Sequence, residues 1–400
     1  MQADYFQVKK CNQNYNTLFD QAAVPSGNLK VSVIVPARDE ARNIRKTLDA
    51  LRLQTDDNGT PINPQLYEVL LLVNNCSDQT FEIGQNYQQK YPDFQLHVAK
   101  VELPPEKANI GFVRRLLMDE AYRRLTINSQ NEGIIASTDG DTQVDSCWIF
   151  HIMKEIANGC SAVGGRILTR SNRNLSRIYH LRDVAYRSLL AQAEALLDPE
   201  DHDPWPRHFQ YFGASMAVTC STYQLVGRLP QVPHLEDNAF HQVLQQMDVR
   251  IRKTPAVKAY TSTRLSGRVA VGFSEQLKKW SGYIKNGHTQ EVEPVAAWLI
   301  KFRCKRMLRE CRNQYLQHGF YDQQLLQAVA QDLLLDPQWL HEALISNPYF
   351  GLFWENVRRE FGSGKWCKKW ELVHITQAIN ELRSFVNSYS AYTPAKKSKP

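Results

Sequence analysis

From Leu29 onward the chain alternates apolar runs with amphipathic stretches four times in succession. Val31-Ser-Val-Ile-Val35 has the character of a buried strand and is stopped by Pro36. Ala41, Ile44, Leu48 and Leu51 follow at helical spacing, which predicts a helix over Asp39–Leu53. The second strand is expected at Tyr67–Val73 and its helix after Ser77-Asp78, a good capping pair. The third strand is expected at Phe94–Val101 with its helix at Ala108–Leu125, and the fourth strand at Gly133–Ser137. Repeated strand–helix pairs predict an α/β fold built on a doubly wound, mostly parallel sheet. Such sheets bind ligands at the carboxyl ends of their strands. Chemistry is therefore expected just after Val35, Val73 and Thr138.

Beyond residue 150 the alternation breaks down. Cys160–Leu168 and Tyr211–Cys220 read as strands, with a helical stretch at Leu175–Leu197 between them. After Trp280 the pattern is helical, at Ala296–Gln317, Gln323–Leu335, Pro337–Ile345, Tyr349–Phe361 and Glu371–Val386. The expected organisation is an irregular leader over 1–28, a catalytic α/β domain over 29–280, and an α-helical C-terminal domain with a basic tail over 281–400.

Composition narrows the class. With 43% hydrophobic and 10% aromatic residues, a chain of 400 buries enough apolar surface to offset chain entropy. The longest apolar runs, such as Val69–Val73, fall far short of the ~18 residues of a spanning helix. The first residues carry no signal-peptide pattern, and the eight cysteines are scattered without a Cys-x-x-Cys pair. A cytoplasmic location is expected. The net charge is +7, and from residue 281 onward sixteen Lys and Arg stand against eleven Asp and Glu. Lys301, Lys305, Arg309 and Arg312 share one helical face, which fits either a solvated face or peripheral contact with the inner face of a membrane.

The three expected strand ends carry polar residues. Pro36-Ala-Arg-Asp-Glu40 offers backbone amides and the Arg38 charge to an anion. Asn74-Asn-Cys-Ser-Asp-Gln-Thr80 is a polar turn suited to a base or ribose edge. Asp139-Gly-Asp141 presents two carboxylates, and hard Mg2+ or Mn2+ ions prefer oxygen ligands and complete their shell with phosphates. Asp-x-Asp alone is common in turns. The order of the three segments, each at a strand's carboxyl end, points to a nucleotide-diphosphate site.

These segments resemble the successive signatures of family 2 glycosyltransferases of GT-A fold. Tyr211-Phe-Gly-Ala-Ser-Met-Ala217 is similar to that family's acceptor-side turn, and Leu235-Glu-Asp-Asn238 to its Glu-Asp motif. The resemblance runs from Leu29 to Trp280 and implies sugar transfer from a UDP- or GDP-linked donor to an acceptor hydroxyl. It implies that Pro36, Arg38 and Glu40 line the nucleotide pocket, that Asn74 and Asn75 approach the base, and that Asp139 and Asp141 hold ribose and a Mn2+ or Mg2+ ion. It makes Asp237 the general base with Glu236 beside it, and sets Gly213, Ala214 and Ser215 on the acceptor side. Arg114 and Arg264 are candidates for the diphosphate, with Arg268 as a further arginine near Arg264, and Trp205 is a candidate for stacking on the acceptor. The acceptor itself is a sugar, a lipid or a small molecule. The Ala259–Arg264 stretch lacks the His that many relatives use as a further metal ligand.

Three rivals remain open at this level. A retaining transferase on the same fold differs only in product configuration. A nucleotidyltransferase usually places a Gly-rich loop with Lys after the first strand, where this chain has Pro-Ala-Arg-Asp-Glu. A basic nucleic-acid-binding protein would interleave its cations with aromatics on a strand platform, a pattern that the sequence does not show.

Overall fold

The computed structural model describes residues 18–392 except 21, 128–132, 170–176, 263–274, 277, 281, 283–287 and 363–364. The expected leader lies mostly outside these residues, and the expected boundary near 280 lies beside several that are not described.

The four alternating units form as the periodicity predicts. Strands β1 (Val31–Ala37), β2 (Tyr67–Asn74), β3 (Leu96–Val101) and β4 (Ile134–Ser137) pair in parallel in the order β3-β2-β1-β4. Every residue of β1 and β2 is buried, as continuous apolar strands covered on both faces require. Helices α1 (Ile44–Arg52), α2 (Thr80–Lys90) and α3 (Ile110–Thr126) connect them. Helix α1 starts five residues later than expected, because Asp39 to Asn43 are drawn into a loop by bonds described below. Helix α3 is capped by Asn109, whose Oδ1 accepts from the Phe112 amide at 2.9 Å.

The second half of the sheet departs from a parallel plan. Strands β5 (Gln143–Val144), β6 (Ala162–Thr169), β7 (Met216–Thr219) and β8 (Ile251–Thr261) extend it in the order β4-β7-β6-β8-β5. Strand β7 is antiparallel to both β4 and β6, while β6 and β8 run parallel. The expected Tyr211–Cys220 strand is only Met216–Thr219, because Tyr211 to Ser215 make a turn closed by the Ser215 amide donating to Phe212 O at 2.9 Å. Helix α4 (Trp148–Ala157) follows β5, helix α5 (Arg177–Leu197) follows β6, and α6 (Cys220–Leu225) and α7 (Glu236–Gln246) lead into β8.

The C-terminal region is helical: α8 (Val295–His318), α9 (Gln323–Leu333), α10 (Pro337–Ser346), α11 (Phe350–Gly362), α12 (Lys365–Lys369) and α13 (Ile375–Tyr392). A short antiparallel ribbon, β9 (Glu291–Val292) with β10 (Val373–His374), ties the start of α8 to the start of α13. Asp336 caps α10 and Pro337 opens it, as the sequence indicates. Among the described residues, no helix is long and apolar enough to cross a membrane.

Helix α5 joins the two regions. Tyr186, Ala193 and Leu197 share a core with Val295 and Phe302 of α8 and with Ile375, Ala378 and Leu382 of α13. The basic face of α8 is turned into the same junction. Lys305 pairs with Glu194 (2.9 Å), Asp198 (3.3 Å) and Glu200 (3.6 Å), and Arg309 pairs with Asp198 (2.8 Å) and Glu200 (2.9 Å). Lys301 is held by Glu293 at 2.6 Å, and Arg312 donates to the carbonyls of Leu344, Asn347 and Pro348. Burial alone would raise the Glu194 carboxyl, but Lys305, Arg207 and Lys253 outweigh it and hold it at about 2. The four cations are thus neither a solvated face nor a lipid-facing one. Lys305 and Arg309 hold the helical region against α5 and the loop after it, while Lys301 and Arg312 tie α8 to its own region.

Helix α11 meets α7 through Gly351. A Cβ there would lie 1.8 Å from Gln245 O, so the close approach excludes any side chain, while Asp248 accepts from the Phe350 and Gly351 amides at 2.7 Å each. Gly351→Ala is expected to force α11 from α7 and lower the unfolding free energy by about 1–3 kcal/mol, the usual cost of overpacking. A denaturant midpoint equal to that of the parent chain would show that the contact adjusts freely.

Candidate active site

The loops after β1 and β2 are laced together. Asp39 has φ +50°, a left-handed backbone that Asp tolerates better than most residues. Its amide donates to Cys76 Sγ at 2.9 Å, and its carboxylate accepts from the Ser77 amide at 2.7 Å. Asp78 accepts from the Ala41 amide at 2.9 Å, and Thr80 Oγ1 accepts from the Glu40 amide at 2.7 Å. This bracing leaves Pro36 buried at the end of β1, Arg38 exposed, and Glu40 buried with its carboxylate accepting from Asn43 Nδ2 at 2.9 Å.

The two asparagines divide. Asn74 ends β2, is buried and lies against Asn75. Asn75 has φ +46° and brackets the backbone of Leu103, donating Nδ2 to its carbonyl (2.8 Å) and accepting from its amide (3.2 Å). Its amide group shapes the loop after β3.

Arg114 joins the later motifs. Gly111 lets the start of α3 approach the loop before α7, where a Cβ would lie 1.8 Å from Val232 O, and one turn on Arg114 reaches into the site. Its guanidinium donates to Glu236 Oε1 (2.9 Å), Asp139 Oδ1 (2.9 Å), Gly213 O (3.1 Å) and Ser137 Oγ. Burial alone would lower its pKa, but Asp139 and Glu236 outweigh that and raise it. Arg114 is 3% exposed and surrounded by protein acceptors, so it positions the acidic motifs.

The adjacent acids Glu236 and Asp237 have different settings. Glu236 is 3% exposed, and burial holds its carboxyl above the ordinary range, with Arg114 offsetting only part of the effect. Asp237 is half-buried, and its carboxylate accepts from the Gly213 amide at 2.9 Å and the Asn238 amide at 2.7 Å. The acceptor-side turn therefore touches the Glu-Asp motif through both the carbonyl and the amide of Gly213.

The other expected residues of that turn face inward. Ser215 is fully buried, and its Oγ accepts from Trp148 Nε1 at 2.9 Å, because the turn must bind the core of β6 and α4. Ala214 is buried, with its carbonyl accepting from Thr138 Oγ1 at 3.0 Å. The exposed apolar group of the turn is Phe212, which no pattern in the sequence singles out. Trp205 is 48% exposed, and the carbonyls on either side of it, of Pro204 and Pro206, are held by Arg252 at the start of β8. Arg264 and Arg268 lie outside the described residues.

Asp139 and Asp141 stand at the end of β4, where Thr47 Oγ1 of α1 donates to the Gly140 carbonyl at 3.0 Å. The Asp139 side chain is 35% exposed, and Asp141 Oδ2 accepts from Ser262 Oγ at 2.6 Å, a contact that the sequence did not signal. Two carboxylates at a strand mouth fit a hard divalent cation that takes its remaining ligands from phosphate and water. Among the described residues, three-ligand groups occur elsewhere, at Asp57–Cys147–His151 and Asp39–Cys76–Asp78. The second of these is the bracing between the first two loops, and burial raises the Cys76 thiol, which disfavours a thiolate ligand.

Residues 32–215 match the model of glycosyl transferase family 2. Over those residues, just under half of its length, the chain is similar to a family 2 glycosyltransferase domain. Its mixed, mostly parallel sheet with the helical region behind it is the GT-A architecture of that family. A curated relative, glycosyltransferase AglE of Haloferax volcanii, is 29% identical over 143 residues, which are 34% of this chain. The aligned part spans only 39% of that relative's length. Among solved structures, TarS 1–349 of S. aureus in complex with UDP-GlcNAc is similar over 84% of this chain and 92% of its own, with 14% identity and a TM-score of 0.45. The mannosyltransferase PcManGT of Pyrobaculum calidifontis, in complex with GDP-Man and Mn2+, covers 93% of this chain and 84% of its own, with 15% identity and a TM-score of 0.38. Within the candidate site, Arg114 links Asp139, Gly213 and Glu236.

Proposed function

We propose that this chain transfers a sugar from a UDP- or GDP-linked donor to an acceptor hydroxyl, inverting the anomeric carbon in one displacement, with Mn2+ or Mg2+ held by Asp139 and Asp141. A cytoplasmic location belongs to the same proposal. The observation that carries it is the Arg114 network, which fixes the Asp139 carboxylate and the Gly213–Asp237 contact in one rigid arrangement. On this reading the network holds donor-side and base-side residues relative to each other before any ligand arrives, which is how a site lowers the entropy cost of reaction. The metal, when bound, neutralises charge developing on the departing diphosphate.

Asp237 takes the acceptor proton as the hydroxyl oxygen bonds to the anomeric carbon, and the carbon–oxygen bond to the diphosphate breaks with its electron pair leaving on the diphosphate. Of the two neighbouring acids, Asp237 fits the base role. It is partly exposed and held by two amides, whereas Glu236 is buried and bound to Arg114.

A thermal-shift panel of UDP- and GDP-sugars with and without Mn2+ tests the reading. One donor at a hundred times its Kd is expected to stabilise the chain by about 2.7 kcal/mol. The Mn2+-dependent part of that shift is expected to vanish in Asp141→Ala. The reading fails if no nucleotide-sugar moves the midpoint. Product of retained configuration would instead replace the inverting step by the retaining one.

A further inference from the structure

A cleft of about 730 Å3 lies between α7, the first residues of β8, and helices α8 and α11. Its volume suits a small ligand. It begins beside the proposed base, because Asn238 lines it and donates its amide to Asp237 at 2.7 Å. One turn along α7, His241 also lines the cleft and stacks on Tyr211, with ring centroids 4.9 Å apart and planes 16° from parallel.

Most charges around the cleft are engaged with one another. Lys305 and Arg309 are paired with Glu194, Asp198 and Glu200, Asp248 caps α11, and Glu355 accepts from Gln242 and Gln246 and pairs with Arg359. Lys253 and Arg358 also line it; among the described residues neither lies within ion-pair distance of a carboxylate, although the Lys253 charge reaches Glu194 from farther off. Glu194 takes its direct ion pairs from Lys305 and Arg207, so the Lys253 ammonium keeps its donors, as does the exposed Arg358 guanidinium. Tyr211 Oη and His241 Nε2 are likewise buried without a hydrogen-bond partner. Buried polar atoms are nearly always paired, so a ligand group or water belongs beside them. Burial, aided by Lys253, holds His241 down at about 3, so its ring is neutral and able to bond a hydroxyl.

We infer that this cleft receives the acceptor, and that the acceptor is a small hydroxylated molecule bearing an anionic group, phosphate or carboxylate, held by Lys253 and Arg358 while a hydroxyl reaches Asp237 past His241. The inference rests on the transfer reading above only for the word acceptor; the anion site stands on its own geometry.

The test is calorimetric titration of the full chain with glycerol 3-phosphate, glycerate and glycerol, in parallel with a titration of the nucleotide-sugar. At least one of the two anions is expected to bind and glycerol is not, and the stronger anion identifies the group as phosphate or carboxylate. Lys253→Gln is expected to weaken anion binding about tenfold or more, as loss of a charged hydrogen bond does. Arg358→Gln is expected to weaken it several-fold, in the range of a more exposed charge contact. Arg306→Gln, an exposed α8 cation paired with Glu310, is expected to leave it unchanged. Absence of binding by either anion, or Lys253→Gln binding like the parent, overturns the inference. Anion binding without nucleotide-sugar binding sinks the transfer reading and leaves the anion site standing. The reverse result sinks the anion site alone.

Discussion

Arg114→Ala is expected to lower the unfolding free energy by about 3–5 kcal/mol, the range for removing one partner of a buried ion pair. The loss arises less from the missing attraction than from what is left behind. Glu236, with a side chain 4% exposed, would lose its guanidinium partner in a setting that already disfavours its charge. Ser137 Oγ, Gly213 O and Asp139 Oδ1 would lose a donor in the same step. Arg114→Lys keeps the charge but cannot fork to four acceptors, so it is expected to recover only part of the loss. Denaturant midpoints of the two variants against the parent check this, and an Arg114→Ala change below about 1 kcal/mol, the level of an exposed pair, would contradict the picture of a buried organiser.

Asp237→Asn is expected to slow transfer by about 10²–10⁴-fold, the range for removal of a general base, with donor affinity unaltered. The substitution is nearly isosteric, and its amide oxygen still accepts from the Gly213 amide, so the turn stays in place. The lost property is proton acceptance. Glu236 cannot substitute, because it is buried and its carboxyl is bound to Arg114. Single-turnover rates with saturating donor separate the chemical step from binding. A rate within a few-fold of the parent would remove Asp237 from the base role.

These two residues mark the limit of what the sequence discloses. Asp237 is legible because it sits in a short motif with an acidic neighbour. Arg114 is legible as an arginine opening the helix before the fourth strand, where a diphosphate contact is expected of it. Its partner Glu236 lies 122 residues away in sequence, and Asp139 lies 25 away. No local pattern reports that such groups meet. Ser215 shows the same limit in the opposite direction: it belongs to the recognised turn, yet a tryptophan from α4 takes its hydroxyl.

The basic face of α8 makes the point in charges. Spacing places Lys301, Lys305, Arg309 and Arg312 on one side of a helix, and that much holds. What faces them, Glu194, Asp198, Glu200 and Glu293, comes from α5, the loop after it and the segment before α8.

By itself the sequence determined the strand–helix alternation, the parallel first half of the sheet, the helical C-terminal region and the loops that carry the site. These are local properties, because hydrophobic periodicity and capping residues act within a few positions of the chain. Only the tertiary structure decided the antiparallel place of β7, the inward turn of the basic helix, the separation of Glu236 from Asp237 in burial, and the cleft between α7 and the helical region. Each depends on which distant groups close on one another, and burial, which sets the strength of every charge contact, exists only once they have closed.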